Sequence, residues 1–199
     1  MDLAARRHWI FDMDGTLTVA VHDFDAIRAE LGLEPGKPIL EQLASLPESR
    51  ARQLFAQLDA LELELARGAR AAAGAERLLE SLSGRGATLG ILTRNSHANA
   101  LETLRACGLA RFFAAECVVG REAAAPKPDP QGIHRLLARW SAAPEAAVMV
   151  GDYRFDLLAG RAAGTATVYV DPEGAFPFRE HADVSVDSLE ALAALLVLA

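Results

Sequence analysis

The sequence predicts an α/β fold: a parallel sheet wound by helices and interrupted once, after its first strand, by a small all-helical insertion. Two features carry the prediction. From Gly74 onward, apolar runs of strand length alternate with stretches whose leucines recur at helical spacing, and such alternation gives parallel strands joined by right-handed crossovers. Between residues 18 and 73 the alternation stops and only helical spacing remains, over a length that no ordinary loop reaches. A third observation sets the scale: 199 residues with 51% hydrophobic content suit one domain with an insertion, large enough to hold a core without disulfide staples.

Taken in order, His8 to Phe11 is a short apolar run stopped by Asp12-Met13-Asp14-Gly15-Thr16, which reads as a buried strand ending in a glycine turn. Asp23 is placed to cap a helix that carries Ile27 and Leu31 and stops at Gly32, and Pro35-Gly36-Lys37-Pro38 forms a loop. A second helical stretch covers Ile39 to Leu46. Pro47 then suits the first position of a longer helix, with Leu54, Leu58, Leu61 and Leu65 at three- and four-residue spacing and an end at Gly68. Beyond Gly74, a helix with Leu78, Leu79 and Leu82 precedes a strand from Ala87 to Leu92 that runs into Thr93-Arg94-Asn95. A helix through Leu101 and Leu104 leads to a strand at Cys117 to Val119, and the loop Ala125 to Pro130 opens a helix with Ile133, Leu136 and Leu137. Ala147 to Val150 is a strand closed by Gly151-Asp152, a helix follows from about Phe155 to Ala163, and Thr165 to Val170 is a further strand. Val184 marks a last short strand and Leu189 to Leu198 the terminal helix. These elements describe a Rossmann-like core of residues 1–17 and 74–199 with a helical cap of residues 18–73. Both cap linkers, near residues 18–22 and 68–74, emerge beside the Asp12–Thr16 turn. The cap can therefore cover whatever binds at the carboxyl ends of the strands, where open parallel sheets place their ligands.

Twenty lysines and arginines against 27 aspartates and glutamates leave a formal net charge of −7 and a pI near 5.2. With no arginine-rich tract, that balance argues against nucleic acid, whose phosphates demand cations. A small anionic ligand stays compatible, because a local site can be cationic in an acidic protein. Cys107 and Cys117 form no C-x-x-C pair, Trp9-Ile10-Phe11 is cut short by Asp12 before any signal-peptide core develops, and the longest apolar run, Ala191 to Ala199, is about half of a membrane span. The expected setting is cytoplasmic, with no membrane partner. Lys37 and Lys127 are the only lysines in the chain, which singles both out.

Four polar features sit just past strand ends or in an adjoining loop: Asp12 with Asp14, Thr93, Lys127, and Asp152 with Asp156. In a parallel sheet all such ends lie on one edge, so these residues can converge. Carboxylates crowded that closely repel one another unless a divalent cation offsets them, and oxygen donors without His or Cys favour Mg²⁺ over zinc. The remaining groups suit a phosphate: a threonine hydroxyl, a compact lysine charge and main-chain N–H groups of a glycine turn. A carboxylate there can attack phosphorus, and a second one two residues along can serve as acid and then base.

On these residues the chain resembles the haloacid dehalogenase superfamily of phosphohydrolases. D-M-D-G-T at 12–16 is similar to its first motif, L-T-R-N at 92–95 to the second, the lysine of K-P-D-P at 127 to the third, and G-D-Y-R-F-D at 151–156 to the fourth. The insertion between the first two motifs resembles the helical cap of the phosphoglycolate phosphatase and β-phosphoglucomutase branch. The resemblance implies a Mg²⁺-dependent phosphatase of a small phosphorylated metabolite, with Asp12 as nucleophile, Asp14 as general acid and base, Thr93 binding phosphate and Lys127 steadying both. It implies Mg²⁺ held by Asp12, the main-chain carbonyl of Asp14 and Asp152, with Asp156 nearby. Asp14 argues against the dehalogenase and phosphonoacetaldehyde hydrolase branches, which have a non-acidic residue there. Thr18-Val19-Ala20-Val21 departs from the acidic residue that many members of the branch carry in this stretch.

Further candidates have two readings each. His22 points at substrate or simply occupies the linker; Arg94 and Asn95 line the site, or Asn95 caps the next helix. Lys37 reads as a solvated loop lysine, and Trp9, Trp140 and Cys107 as packing. The runner-up activity is a phosphosugar mutase, since one aspartyl phosphate can pass to water or to sugar. A rival of another class is a phosphorylation-controlled signalling module, which lacks a cap and carries its accepting aspartate on a middle strand.

Overall fold

The computed structural model describes residues 2–20 and 23–198. The first half of the chain runs β1 (His8–Phe11), α1 (Phe24–Leu31), α2 (Ile39–Ala44), α3 (Glu48–Arg67), α4 (Ala75–Gly84), β2 (Thr88–Leu92) and α5 (His97–Ala106). It continues through β3 (Val118–Val119), α6 (Gln131–Trp140), β4 (Ala147–Gly151), α7 (Arg154–Ala163), β5 (Ala166–Val170), β6 (Val184–Val186) and α8 (Leu189–Leu198). The strands form one six-stranded parallel sheet of order β3-β2-β1-β4-β5-β6. Among the described residues no helix is long and apolar enough to cross a membrane.

Side-chain alternation along β1 shows how this sheet is covered on both faces. Trp9 and Phe11 join one apolar cluster, with α4, α5 and α8, while Ile10 joins a second, with α6 and α7. All three side chains are fully buried, as a central parallel strand requires. From β1 the chain moves outward to β2 and β3, then returns to β4 on the other side and moves outward again to β6. The order therefore reverses between β1 and β4, and a crevice opens at their carboxyl ends.

The helical insertion has a core of its own. Ile27 and Leu31 of α1, Leu40 and Leu43 of α2, and Leu54 and Leu58 of α3 pack together. Helix α1 begins where Asp23 accepts hydrogen bonds from the N–H groups of Asp25 and Ala26, and it ends at the left-handed Gly32. Helix α3 begins one residue later than expected, because Pro47 is extended at ψ 140° and stands before the first helical residue. Helix α2 stops at Ala44 rather than Leu46. Nor is the whole of 18–73 helical: Thr18 bridges to Asp14 and Ala71, the Val19 N–H donates to Arg70 and the Ala72 N–H to Leu17. The two connections thus lie zipped together beside the turn that follows β1.

Candidate active site

The turn after β1 is built around two constraints. Gly15 adopts φ +83°, and a Cβ there would lie 2.4 Å from Asp152 Oδ2, so only glycine fits both the backbone and the approach. Asp12 is fixed at the crevice by its N–H, which donates to the Val150 carbonyl at 2.8 Å. Across the turn the Thr16 hydroxyl donates to Asp152 Oδ1 at 3.0 Å. Residues far apart in sequence are thereby locked together at the ends of β1 and β4.

Lys127 sits at the centre of the cluster with only 2% of its side chain exposed. Its ammonium donates to Asp12 Oδ1 at 2.6 Å and to the Leu92 carbonyl at 2.9 Å, and lies 2.6 Å from Asp156 Oδ1. Three acceptors match the three protons of an ammonium. Burial alone would lower its pKa, but the charges of Asp12 and Asp156 outweigh that and hold it above the ordinary lysine value. Asp156 is held at its other oxygen as well, since Oδ2 accepts the Tyr153 N–H at 3.0 Å. Asp152 is pushed well above the usual carboxylate range, first by burial and then by the negative charges of Asp12 and Asp156. Ligand oxygens of Asp12, Asp152 and Asp156 all lie within 4.8 Å of one another, so one lysine faces three carboxylates.

Asp14 lines the same cavity as these groups and is bound by other side chains. Its Oδ2 accepts Asn95 Nδ2 at 2.8 Å, and Oδ1 lies 3.5 Å from the Thr18 hydroxyl. Asn95 is therefore a site residue, not the cap of α5; that cap is Ser96, whose hydroxyl accepts the Asn99 N–H. Thr93 is buried and its Oγ1 accepts the Asn95 N–H at 3.1 Å, which leaves the hydroxyl proton free to donate. Arg94 spends its guanidinium on the protein, on the Lys127 carbonyl and on Glu41 of α2, each at 2.6 Å. A cavity of about 410 Å³ reaches Asp12, Asp14, Thr93, Lys127, Asp152 and Asp156. Arg94, Asn95 and Lys37 line it as well, the last exposed and paired with Glu34. His22 lies outside the described residues. Trp9 is buried as expected, and Trp140, which also stacks on His8, and the half-buried Cys107 pack against the two apolar clusters as expected.

Motif spacing did not reveal one part of the site, a clamp between α3 and the sheet domain. Arg121, just after β3, donates through its backbone N–H to the Asn95 carbonyl and through Nη1 to the Arg94 carbonyl. The same guanidinium holds Glu62 at 2.8 Å and pairs with Asp59, both on α3. The available signal was periodic: Leu54, Leu58, Glu62 and Ala66 recur every four residues on the buried face of α3, so a carboxylate interrupts an apolar stripe.

Burial pushes the Glu62 carboxyl up to about 7, against the pull of Arg121 and Asn99. Its folded value exceeds its unfolded one, so the linked stabilisation is full below the ordinary carboxylate range and is lost as pH rises through about 7. Glu62→Gln removes this dependence. In urea unfolding, the stability of the variant minus that of the wild type is expected to rise between about pH 5 and pH 8; a difference that stays flat or falls contradicts the assignment.

The comparisons with known proteins bear on the family and the fold. A family model described as haloacid dehalogenase-like hydrolase matches residues 9–170. A Saccharomyces cerevisiae protein named "Uncharacterized hydrolase YOR131C" is 29% identical over 94% of this chain and 89% of its own. A Dickeya dadantii protein named "Probable phosphatase IndB" is 32% identical over 81% of this chain and 79% of its own. Among solved structures, a hydrolase from Pseudomonas syringae matches with a TM-score of 0.78 at 24% identity, over 98% of this chain and 100% of its own, which shows a shared fold.

Proposed function

The chain belongs to the haloacid dehalogenase-like hydrolase family, and we propose that it is a Mg²⁺-dependent phosphatase that hydrolyses a small phosphorylated metabolite through an aspartyl phosphate on Asp12. One observation carries the reading. Asp12 and Asp14 lie on one turn yet in different surroundings, Asp12 against Lys127 and Asp14 against Asn95 and Thr18. Two carboxylates separated in this way suit two separate tasks. The Dickeya relative, named as a phosphatase, supports the same chemistry.

In this reading an Asp12 carboxylate oxygen attacks phosphorus, and the bond from phosphorus to the ester oxygen breaks as Asp14 gives that oxygen a proton. Asp14 then takes a proton from the water that attacks the acyl phosphate, which releases phosphate and restores Asp12. Lys127 holds Asp12 in place and offsets charge on the transferred group, while Thr93 donates to a phosphate oxygen. The donor set fits a hard cation, being all oxygen, with three carboxylates whose oxygens lie within 4.8 Å of one another facing one lysine. Asp12, the Asp14 main-chain carbonyl and Asp152 would hold Mg²⁺, whose charge would ease the carboxylate crowding and stabilise the phosphoryl group. Asp156, near that group, positions Lys127 through one oxygen and takes the Tyr153 N–H at the other. Residues 18–73 act as a cap over this edge of the sheet.

The test is release of inorganic phosphate from a panel of phosphorylated metabolites with Mg²⁺ present. Release is expected to stop with EDTA and to return when Mg²⁺ is restored. Hydrolysis that survives chelation, or phosphate found only on a second position of a sugar, overturns the reading.

A further inference from the structure

Large apolar side chains gain free energy by leaving water, so the ones a protein leaves exposed at a cavity mouth call for a reason. Among the described residues four large hydrophobics are exposed, and two of them, Phe24 at 52% and Tyr153 at 43%, line the cavity above Asp12. They face it from different parts of the chain: Phe24 opens α1 of the insertion, and Tyr153 precedes α7 of the sheet domain. Phe155 lines the same cavity. The Tyr153 ring is fixed by edge-to-face contacts with Phe155 and Phe178, each at 5.1 Å between centroids. Ile39, Leu40 and Leu58 add aliphatic wall on the insertion side. At about 410 Å³ the volume lies in the range of sites that enclose a whole organic molecule, about 300–1,000 Å³.

The cations on these walls are largely engaged by the protein itself. Arg28 is bound to Asp25 and to the Lys37 carbonyl, Lys37 to Glu34, and Arg94 to Glu41 and the Lys127 carbonyl. Arg154 makes no ion pair among the described residues, and its guanidinium lies 5.1 Å from the Phe155 centroid and 5.8 Å from that of Tyr153. Three of these four charges are already matched by carboxylates, and two of the guanidiniums, Arg94 at 5.3 Å and Arg154 at 5.1 Å from the Phe155 centroid, lie over that ring. The lining therefore combines aromatic rings, aliphatic side chains and guanidinium groups, which are the partners of a flat π-system.

We propose that the phosphomonoester cleaved at this site carries a planar aromatic or heteroaromatic group on its alcohol, held against Phe24 on the insertion side and against Tyr153 and Phe155 on the sheet side. The proposal rests on the phosphatase reading above. Cleavage breaks the bond between phosphorus and the ester oxygen, and the ring-bearing alcohol leaves with the proton supplied by Asp14.

The experiment compares kcat/KM of the full chain with Mg²⁺ on ring-bearing esters, nucleoside 5′-monophosphates and pyridoxal 5′-phosphate, and on aliphatic ones, glycerol phosphate and phosphoglycolate. All are esters of primary alcohols, so a preference reports recognition of the ring rather than the ease of leaving. At least one ring-bearing ester is expected to exceed every aliphatic one by about tenfold or more, and Phe24→Ala to shrink that ratio by about tenfold. Phe155→Leu, checked for folding by thermal unfolding, is expected to shrink it as well. Aliphatic esters cleaved as well as or better than ring-bearing ones, or a Phe24→Ala loss equal for both classes, overturns the proposal and leaves the phosphatase reading standing. If no ester is cleaved, p-nitrophenyl phosphate included, both fall.

Discussion

Asp12→Asn is expected to lower turnover of every phosphate ester by a factor on the order of 10⁴ or more while leaving the protein folded. An amide keeps the shape of the carboxylate but lacks the anionic oxygen that would attack phosphorus. The fold tolerates the change because Lys127 keeps Asp156 and the Leu92 carbonyl as partners. The substitution also removes one of the negative charges that raise Asp152. Steady-state hydrolysis measured beside a thermal melt checks both halves of the expectation. Substantial residual activity in a variant that melts like the wild type contradicts the assignment of Asp12.

Lys127→Met is expected to reduce both activity and stability. Taking away one partner of a buried ion pair leaves charge that neither water nor protein offsets, at a cost of roughly 3–5 kcal/mol. Here the orphaned groups are Asp12 and Asp156, whose carboxylate oxygens each lie 2.6 Å from the ammonium. The pKa of Lys127 is raised, so its stabilising contribution is present throughout the ordinary pH range and is lost only above the usual lysine value. Urea unfolding near neutral pH therefore reports the full cost. Turnover in the folded variant is expected to fall by a factor on the order of 10³, the scale of losing one electrostatic group that offsets transition-state charge. Lys127→Arg does not rescue it, because a planar fork cannot place one point charge between two carboxylates and a carbonyl. A Lys127→Met protein with near wild-type stability or turnover contradicts this description of the cluster.

What the sequence disclosed follows from where its information is local. Asp12, Lys127 and Asp152 stand at strand ends or in a loop beside them, and a parallel sheet brings such positions to one edge whatever the details of packing. Their convergence was legible for that reason, as was the burial of the apolar run His8 to Phe11, whereas the split of Trp9 and Phe11 from Ile10 into two apolar layers came from the packing of the helices. Helix ends were less legible: proline's fixed φ suits both the first helical residue and the one before it, and ψ at Pro47, which decides, depends on the chain around it. The clamp of Arg121 on Glu62 and Asp59 joins residues about 60 positions apart on elements that meet only through tertiary packing. No local pattern names such a partner; the break in the apolar stripe of α3 marks one end of the contact. Asn95 was ambiguous because an asparagine before a helix reads equally as a cap, and only the position of Asp14 decides between the two.

The most direct test of the account is to quench the wild-type enzyme during turnover with Mg²⁺ and a cleavable ester, reduce it with borohydride and sequence the peptides by mass spectrometry. Borohydride converts an aspartyl phosphate to homoserine. The account predicts homoserine at position 12, dependent on substrate and absent from the Asp12→Asn variant. Efficient hydrolysis with no homoserine there, or with the label at another carboxylate, contradicts it.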